Sequence, residues 1–178
     1  MAFVLDRVDD MRIIYETAKR VYTRELTIDT AVKELSRQIG AKTSSLQMYL
    51  NIYACMRKGK VYKMGTSEGF TRYLLESILK DEGEDAFMLA LSAAKSNSIY
   101  RESVNNAQPG IKKACLDAIA SSGLAIDYED IAIDVSLSQQ PASKSTKSGN
   151  DLTNNAEMSK ADREKLISCI QLPNSEFA

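Results

Sequence analysis

This sequence predicts an all-α fold, a compact bundle of about six helices that contains a helix-turn-helix-like pair. Two observations predict it. Apolar residues recur at three- and four-residue spacing through six successive segments of residues 1–122, which marks one buried face per helix. Short links rich in cap and turn residues (Ser, Thr, Asp, Gly, Pro) separate those segments, the loop pattern of bundle neighbours.

The first helix is expected after Asp6 or Asp9 as cap, with Met11, Ile14, Tyr15, Ala18, Val21 and Tyr22 on its apolar stripe. Arg20 and Arg24 near its end suit the helix dipole. Thr27 or Asp29 starts the second, with Ile28, Ala31, Val32, Leu35 and Ile39 on one face. Gly40 is placed to end it in the left-handed conformation. Thr43 or Ser44 caps the third, and Ser44 to Gln47 has the spacing of a capping box. Its inward face is Leu46, Tyr49, Leu50, Tyr53 and Met56, with Gly59 near its end.

An extended link, Lys60 to Met64, leads to Thr66 or Ser67 as the next cap. Helix four is expected over about 67–81 and helix five over about 84–104, divided at Gly83. Pro109-Gly110 marks a turn into a sixth helix over about 111–121. Beyond Gly123 the character changes. Residues 123–137 form an acidic segment whose alternation from Ile131 to Leu137 suits an edge strand or an extended segment docked on the bundle. Residues 138–157 have the composition of a flexible linker, and 158–178 read as a short C-terminal helix and tail.

With 44% hydrophobic residues in 178, the chain has enough apolar content to bury an ordinary core. No apolar run approaches the ~20 residues that span a bilayer, and the N-terminus is too acidic for a secretory signal. A cytoplasmic location is expected. Cys55, Cys115 and Cys169 are odd in number and unpaired in spacing, so reduced thiols are expected rather than a disulfide framework or zinc site. The chain has no histidine, which removes the usual nucleophile-activating base and the common zinc motifs. Neither a GxGxxG nor a GxxxxGK[ST] loop occurs. No catalytic residue, cofactor or metal is expected, and a binding role is favoured over an enzyme.

Charge supplies the main functional signal. From Ser36 to Ser67 there is no Asp or Glu, while Arg37, Lys42, Arg57, Lys58, Lys60 and Lys63 are present. The formal net charge is −1, so a window carrying six positive charges leaves the remainder at −7. Clustered Lys and Arg are the electrostatic footprint of a phosphate-binding surface. Residues 28–58 have the outline of a helix-turn-helix. If Leu46, Tyr49, Leu50 and Tyr53 face inward, the outer face offers Lys42, Ser44, Ser45, Gln47, Met48 and Asn51 to base edges and phosphates. Arg57, Lys58, Lys60 and Lys63 would flank it as phosphate contacts.

DNA is therefore the expected partner. The competing expectation is a protein partner or self-association through Met48 and Ile52, with the C-terminal helix docking on the partner. Tyr49, Tyr53, Tyr62 and Tyr73 could stack on bases, but their apolar spacing favours core positions. The acids Asp81, Glu82, Glu84 and Asp85 lack the spacing of a calcium loop and suit helix capping and dipole roles. A carboxylate–metal nuclease centred on them is the third expectation. The strip 127–134 could cover the basic window or, more simply, protect an edge strand.

Ala31-Val-x-x-Leu35, Ile39-Gly40, Ser44-Ser45 and Tyr49-Leu50 are followed by Tyr53, Met56, Gly59 and Tyr62. Arg72-Tyr73-x-Leu75, Ile78, Glu82-Gly83, Ala90-Leu91 and Ile99-Tyr100-Arg-Glu102 complete the series. In order and spacing the stretch from about Tyr15 to Tyr100 resembles the helical N-terminal module of bacterial HNH-type and modification-dependent restriction endonucleases. The resemblance implies DNA recognition or assembly beside a nuclease, in a bacterial or phage defence setting. An HNH domain itself is absent, because this chain has no histidine.

Overall fold

The protein is described from a computed structural model, which covers Leu5 and residues 7–134. Six helices follow one another: α1 (Val8–Tyr22), α2 (Ile28–Ile39), α3 (Thr43–Arg57), α4 (Glu68–Glu82), α5 (Glu84–Ser103) and α6 (Pro109–Ser122). Among the described residues there is no strand. The helices form two three-helix groups. α3 packs against α1 and α2, α4 packs against α5 and α6, and the α3–α5 contact joins the groups.

Local signals placed most boundaries. Thr27 caps α2, accepting from the Thr30 N–H at 3.3 Å, and Ser67 caps α4, accepting from Phe70 at 3.2 Å. Gly40 ends α2 at φ +74°, a conformation that costs any other L-residue about 1 kcal/mol or more. Pro109 starts α6 in its first turn, where its missing N–H loses nothing.

Two expected caps are corrected. α1 begins after Arg7, which makes no side-chain cap; Asp6, the other expected cap, lies outside the described residues, and Asp9 and Asp10 lie inside the helix's first turn. There they face the positive dipole end, and Asp9 pairs with Arg12 at 2.9 Å. α3 begins after Lys42, so neither Thr43 nor Ser44 caps it and the Ser44–Gln47 box does not form. The preceding turn explains this. Ala41 is buried, and the Ser36 hydroxyl donates to its carbonyl at 2.9 Å, so the helix starts before the hydroxyls arrive.

Over its described residues, 123–134, the acidic segment docks on the bundle without making a strand, and the rest of the expected alternation lies outside the described residues. Tyr128 and Ile131 are buried, while Ile133 is 39% exposed, so the alternation does not map onto one face. The anchor is Lys95, buried in the middle of α5. Its ammonium donates to the carbonyls of Tyr128 (2.9 Å), Glu129 (2.7 Å) and Ile131 (3.0 Å), matching its three donors. The expected linker and C-terminal helix lie outside the described residues, as does Cys169. Cys55 and Cys115 are buried, and burial pushes the Cys115 thiol up to about 12.

Candidate nucleic-acid interface

The expected recognition helix is the most enclosed element of its group. α3 is packed by α1, α2 and α5, and it buries Asn51, Ile52 and Cys55 as well as the anticipated Leu46, Tyr49, Leu50, Tyr53 and Met56. Asn51 is 2% exposed and Ile52 1% exposed. Asn51 therefore does not lie on an outward face, and Ile52 is no surface contact for a partner. Docking into a groove needs one exposed helical face, and α3 has none along its middle turns. A signal was present: from Leu46 to Met56 only Gln47 and Asn51 are strongly polar, the composition of a helix enclosed on all sides.

What remains accessible lies at the two ends. Lys42 and Ser44 are exposed, and Ser45, Gln47 and Met48 are half-buried, all in the first turns. Lys58 is half-buried at the other end, and Lys60 and Lys63 are exposed beyond it. At 1.5 Å per residue, the sixteen steps from Lys42 to Lys58 span about 24 Å. The basic window is thus split into two separate sites.

Arg57 belongs to neither. Its guanidinium pairs with the Glu82 carboxylate and lies over the Tyr22 ring, 5.2 Å from the centroid. Tyr53 donates its hydroxyl to the same carboxylate at 2.7 Å. Beside it, Lys19 pairs with Asp81 at 2.9 Å, and the Tyr15 hydroxyl lies 3.2 Å from Asp81. The hydrogen bond from Lys19 holds the Asp81 carboxyl below its ordinary range. Burial, reinforced by the carboxylates, pushes the Tyr15 and Tyr53 hydroxyls up. Asp81 and Glu82 are thereby committed to tying α4 to α1 and α3. Among the described residues, no three His, Cys, Asp or Glu side chains gather closely enough to hold a metal ion.

The tyrosines fall on the core side of the expectation. Tyr49, Tyr53 and Tyr62 are buried, and Tyr49 meets Phe70 edge-on at 4.7 Å. Tyr73 is half-buried and edge-on to Tyr15 at 6.3 Å.

The link after α3 is held by α5. Asn97, fully buried, donates its amide to the carbonyls of Tyr62 and Met64. Tyr62 points inward while Lys60 and Lys63 point outward. The Asp134 carboxylate accepts from the Val61 N–H at 2.8 Å, and the Asp134 N–H donates to Ser96 at 2.8 Å. The acidic segment thus meets the basic link edge to edge rather than covering it, because Lys60 and Lys63 stay exposed. Lys63 lies over Tyr100, 5.2 Å from the ring centroid. Nothing in the local pattern of Lys95, Ser96 and Asn97 announced this role; all three are polar yet buried.

Among the described residues, Lys42, Lys60 and Lys63 form no ion pair, whereas Arg12, Lys19, Arg57, Arg72, Lys112 and Lys113 all do. No described helix is long and apolar enough to cross a membrane. Comparison with protein-family models, curated proteins and solved structures finds no match to this chain.

Proposed function

We propose that this chain is a non-catalytic nucleic-acid-binding module that grips phosphates through the basic link from Lys58 to Lys63. The observation that carries this reading is the pair Lys60 and Lys63: exposed, without ion pairs among the described residues, and mounted on a link hydrogen-bonded to α5. Fixed cations without counter-charges are preorganised for phosphate. With Asn51 buried and Ser44, Ser45 and Gln47 at the far end of α3, the contact is directed at the backbone and reads little base sequence. In this proposal the module works beside a separate catalytic chain, the setting that the endonuclease resemblance implies.

The test is fluorescence anisotropy of a labelled DNA duplex across a salt series. Three contacts (Lys58, Lys60, Lys63) give a log–log slope of about −2.7, or roughly 40-fold weaker binding at 200 mM than at 50 mM salt. A Lys60→Glu/Lys63→Glu variant should lose nearly all of it. Absence of binding at 50 mM salt, or indifference to both reversals, refutes the proposal. A protein-contact reading would instead draw on Leu89, 44% exposed against Gly59, and predicts self-association or partner capture sensitive to Leu89→Asp but not to salt.

A further inference from the structure

The partly buried cations of this bundle show what an enclosed positive charge demands here. Lys19 has Asp81, Arg57 has Glu82, and Lys95 has three carbonyls. Arg101, in the last turn of α5, breaks the pattern. It is half-buried, and its one hydrogen bond among the described residues is a 3.5 Å contact from Nη1 to the Lys63 carbonyl. That is the long limit of a hydrogen bond. Its Nε is enclosed and has no acceptor. Desolvating a guanidinium without a carboxylate is costly, and the negative end of α5 supplies only about half a charge.

Arg101 does not stand alone. The ammonium of Lys63 lies over Tyr100, the neighbour of Arg101 on α5. Gly65 packs against Arg101 and Gln108: a Cβ there would lie 3.2 Å from Arg101 Nη2 and 2.7 Å from Gln108 Nε2. Only a bare backbone lets the guanidinium and the Gln108 amide approach the link this closely. Gln108 Oε1 and Thr66 Oγ1 are also enclosed without partners. Native interiors pair the large majority of buried side-chain polar atoms, and here two that can donate, Arg101 Nε and Thr66 Oγ1, are left over beside one glycine.

We infer that Lys63, Thr66, Arg101 and Gln108 form a phosphate-binding site. The inference deepens the nucleic-acid proposal, and rests on it for the identity of the polymer. Arg101 supplies a planar fork that engages two oxygens at once, and Lys63 adds a point charge. Thr66 donates its hydroxyl, and Gln108 rotates its amide to present Nε2. Two cations with two neutral donors suit a tetrahedral oxyanion of three or more oxygens better than a carboxylate. The group bound is a phosphate, either free or within a nucleic-acid backbone.

The test follows the side-chain N–H signals of Arg101 Nε and Gln108 by NMR in the intact protein. The probes are inorganic phosphate and a 12-nucleotide single-stranded DNA without terminal phosphates, with chloride at matched ionic strength as control. Either phosphate source should shift both signals saturably while chloride does not. In the anisotropy series Arg101→Gln should reduce the salt slope by about 0.7–0.9, the loss of one phosphate contact, and Arg101→Lys should restore it only in part. Saturation by inorganic phosphate alone keeps the site and removes the nucleic-acid reading. DNA binding that ignores Arg101→Gln, with no shift on either probe, keeps that reading and overturns the site. Signals that move equally with chloride also overturn it, as an ionic-strength effect. The wild-type signals are read without any substitution, so a misfolded variant cannot mask the result.

Discussion

Replacing Lys95 with Met separates the docked acidic segment from the bundle that carries it. Met keeps most of the stem and opens no large cavity in α5, but it removes all three donors that hold the carbonyls of Tyr128, Glu129 and Ile131. Two responses compete. If the segment stays docked, three buried carbonyls lose their partner at about 1–3 kcal/mol each, roughly 3–9 kcal/mol in all. If it peels away, the carbonyls are hydrated and the loss is the burial of Tyr128 and Ile131 together with the Val61–Asp134 and Asp134–Ser96 hydrogen bonds. Burial accounts for about 1.5–3 kcal/mol per side chain, and the backbone entropy recovered on release offsets part of the total.

Peeling is the cheaper outcome, so the Lys95→Met variant should release residues 124–134 while α1–α6 stay folded. Hydrogen exchange reads this directly. The amides of Val61 and Asp134, which bond to Asp134 and Ser96, should lose protection, while amides inside α4 and α5 exchange as in the wild type. Wild-type protection at Val61 and Asp134 would refute the latch. Global unfolding with no intermediate opening would refute the separability of segment and bundle.

Two further outcomes follow from single residues. Gly40→Ala meets no steric obstacle but is held at φ +74°, so it should lose about 1 kcal/mol and lower Tm by a few degrees. An unchanged or raised Tm would show that the turn relaxes. Asp81 has its folded-state pKa held below the ordinary 3.8 by Lys19. Its stabilisation is therefore present above about pH 4 and lost as pH falls through the folded value. Urea midpoints of wild type and Asp81→Asn should differ near neutrality and converge below pH 4. A gap that persists unchanged into acid would assign the effect to packing instead.

The ends of the helices were legible where the signal is local. Thr27 and Ser67 bond an N–H three residues away, and Gly40 needs only its own backbone, so sequence spacing contains the whole interaction. The start of α3 differs from the expected Thr43 or Ser44 cap because Ala41 is fixed by the turn around it, which hydroxyl spacing does not encode. In the candidate site, the exposure of Lys42, Lys60 and Lys63 was legible, whereas the fates of Asn51 and Arg57 were not. Asn51 is buried because three helices surround α3. Arg57 is taken up by Glu82, which lies 25 positions along the chain. Arg101 carries no sequence signal because it sits outside the acid-free window, and only the path of the link brings Lys63 beside it.

By itself the sequence determined that the described residues of this protein fold as six helices and which apolar stripes supply most of the core. Periodicity and capping are properties of neighbouring residues and survive without knowledge of the fold. Tertiary structure alone decided which polar groups are buried and which charges are left over. A polar side chain's place depends on partners distant in sequence, as Lys95 shows with carbonyls 33 to 36 residues away. The same dependence turned one continuous basic window into two ends of a buried helix, with Lys42 exposed at one end and Lys60 and Lys63 on the link beside Arg101 at the other.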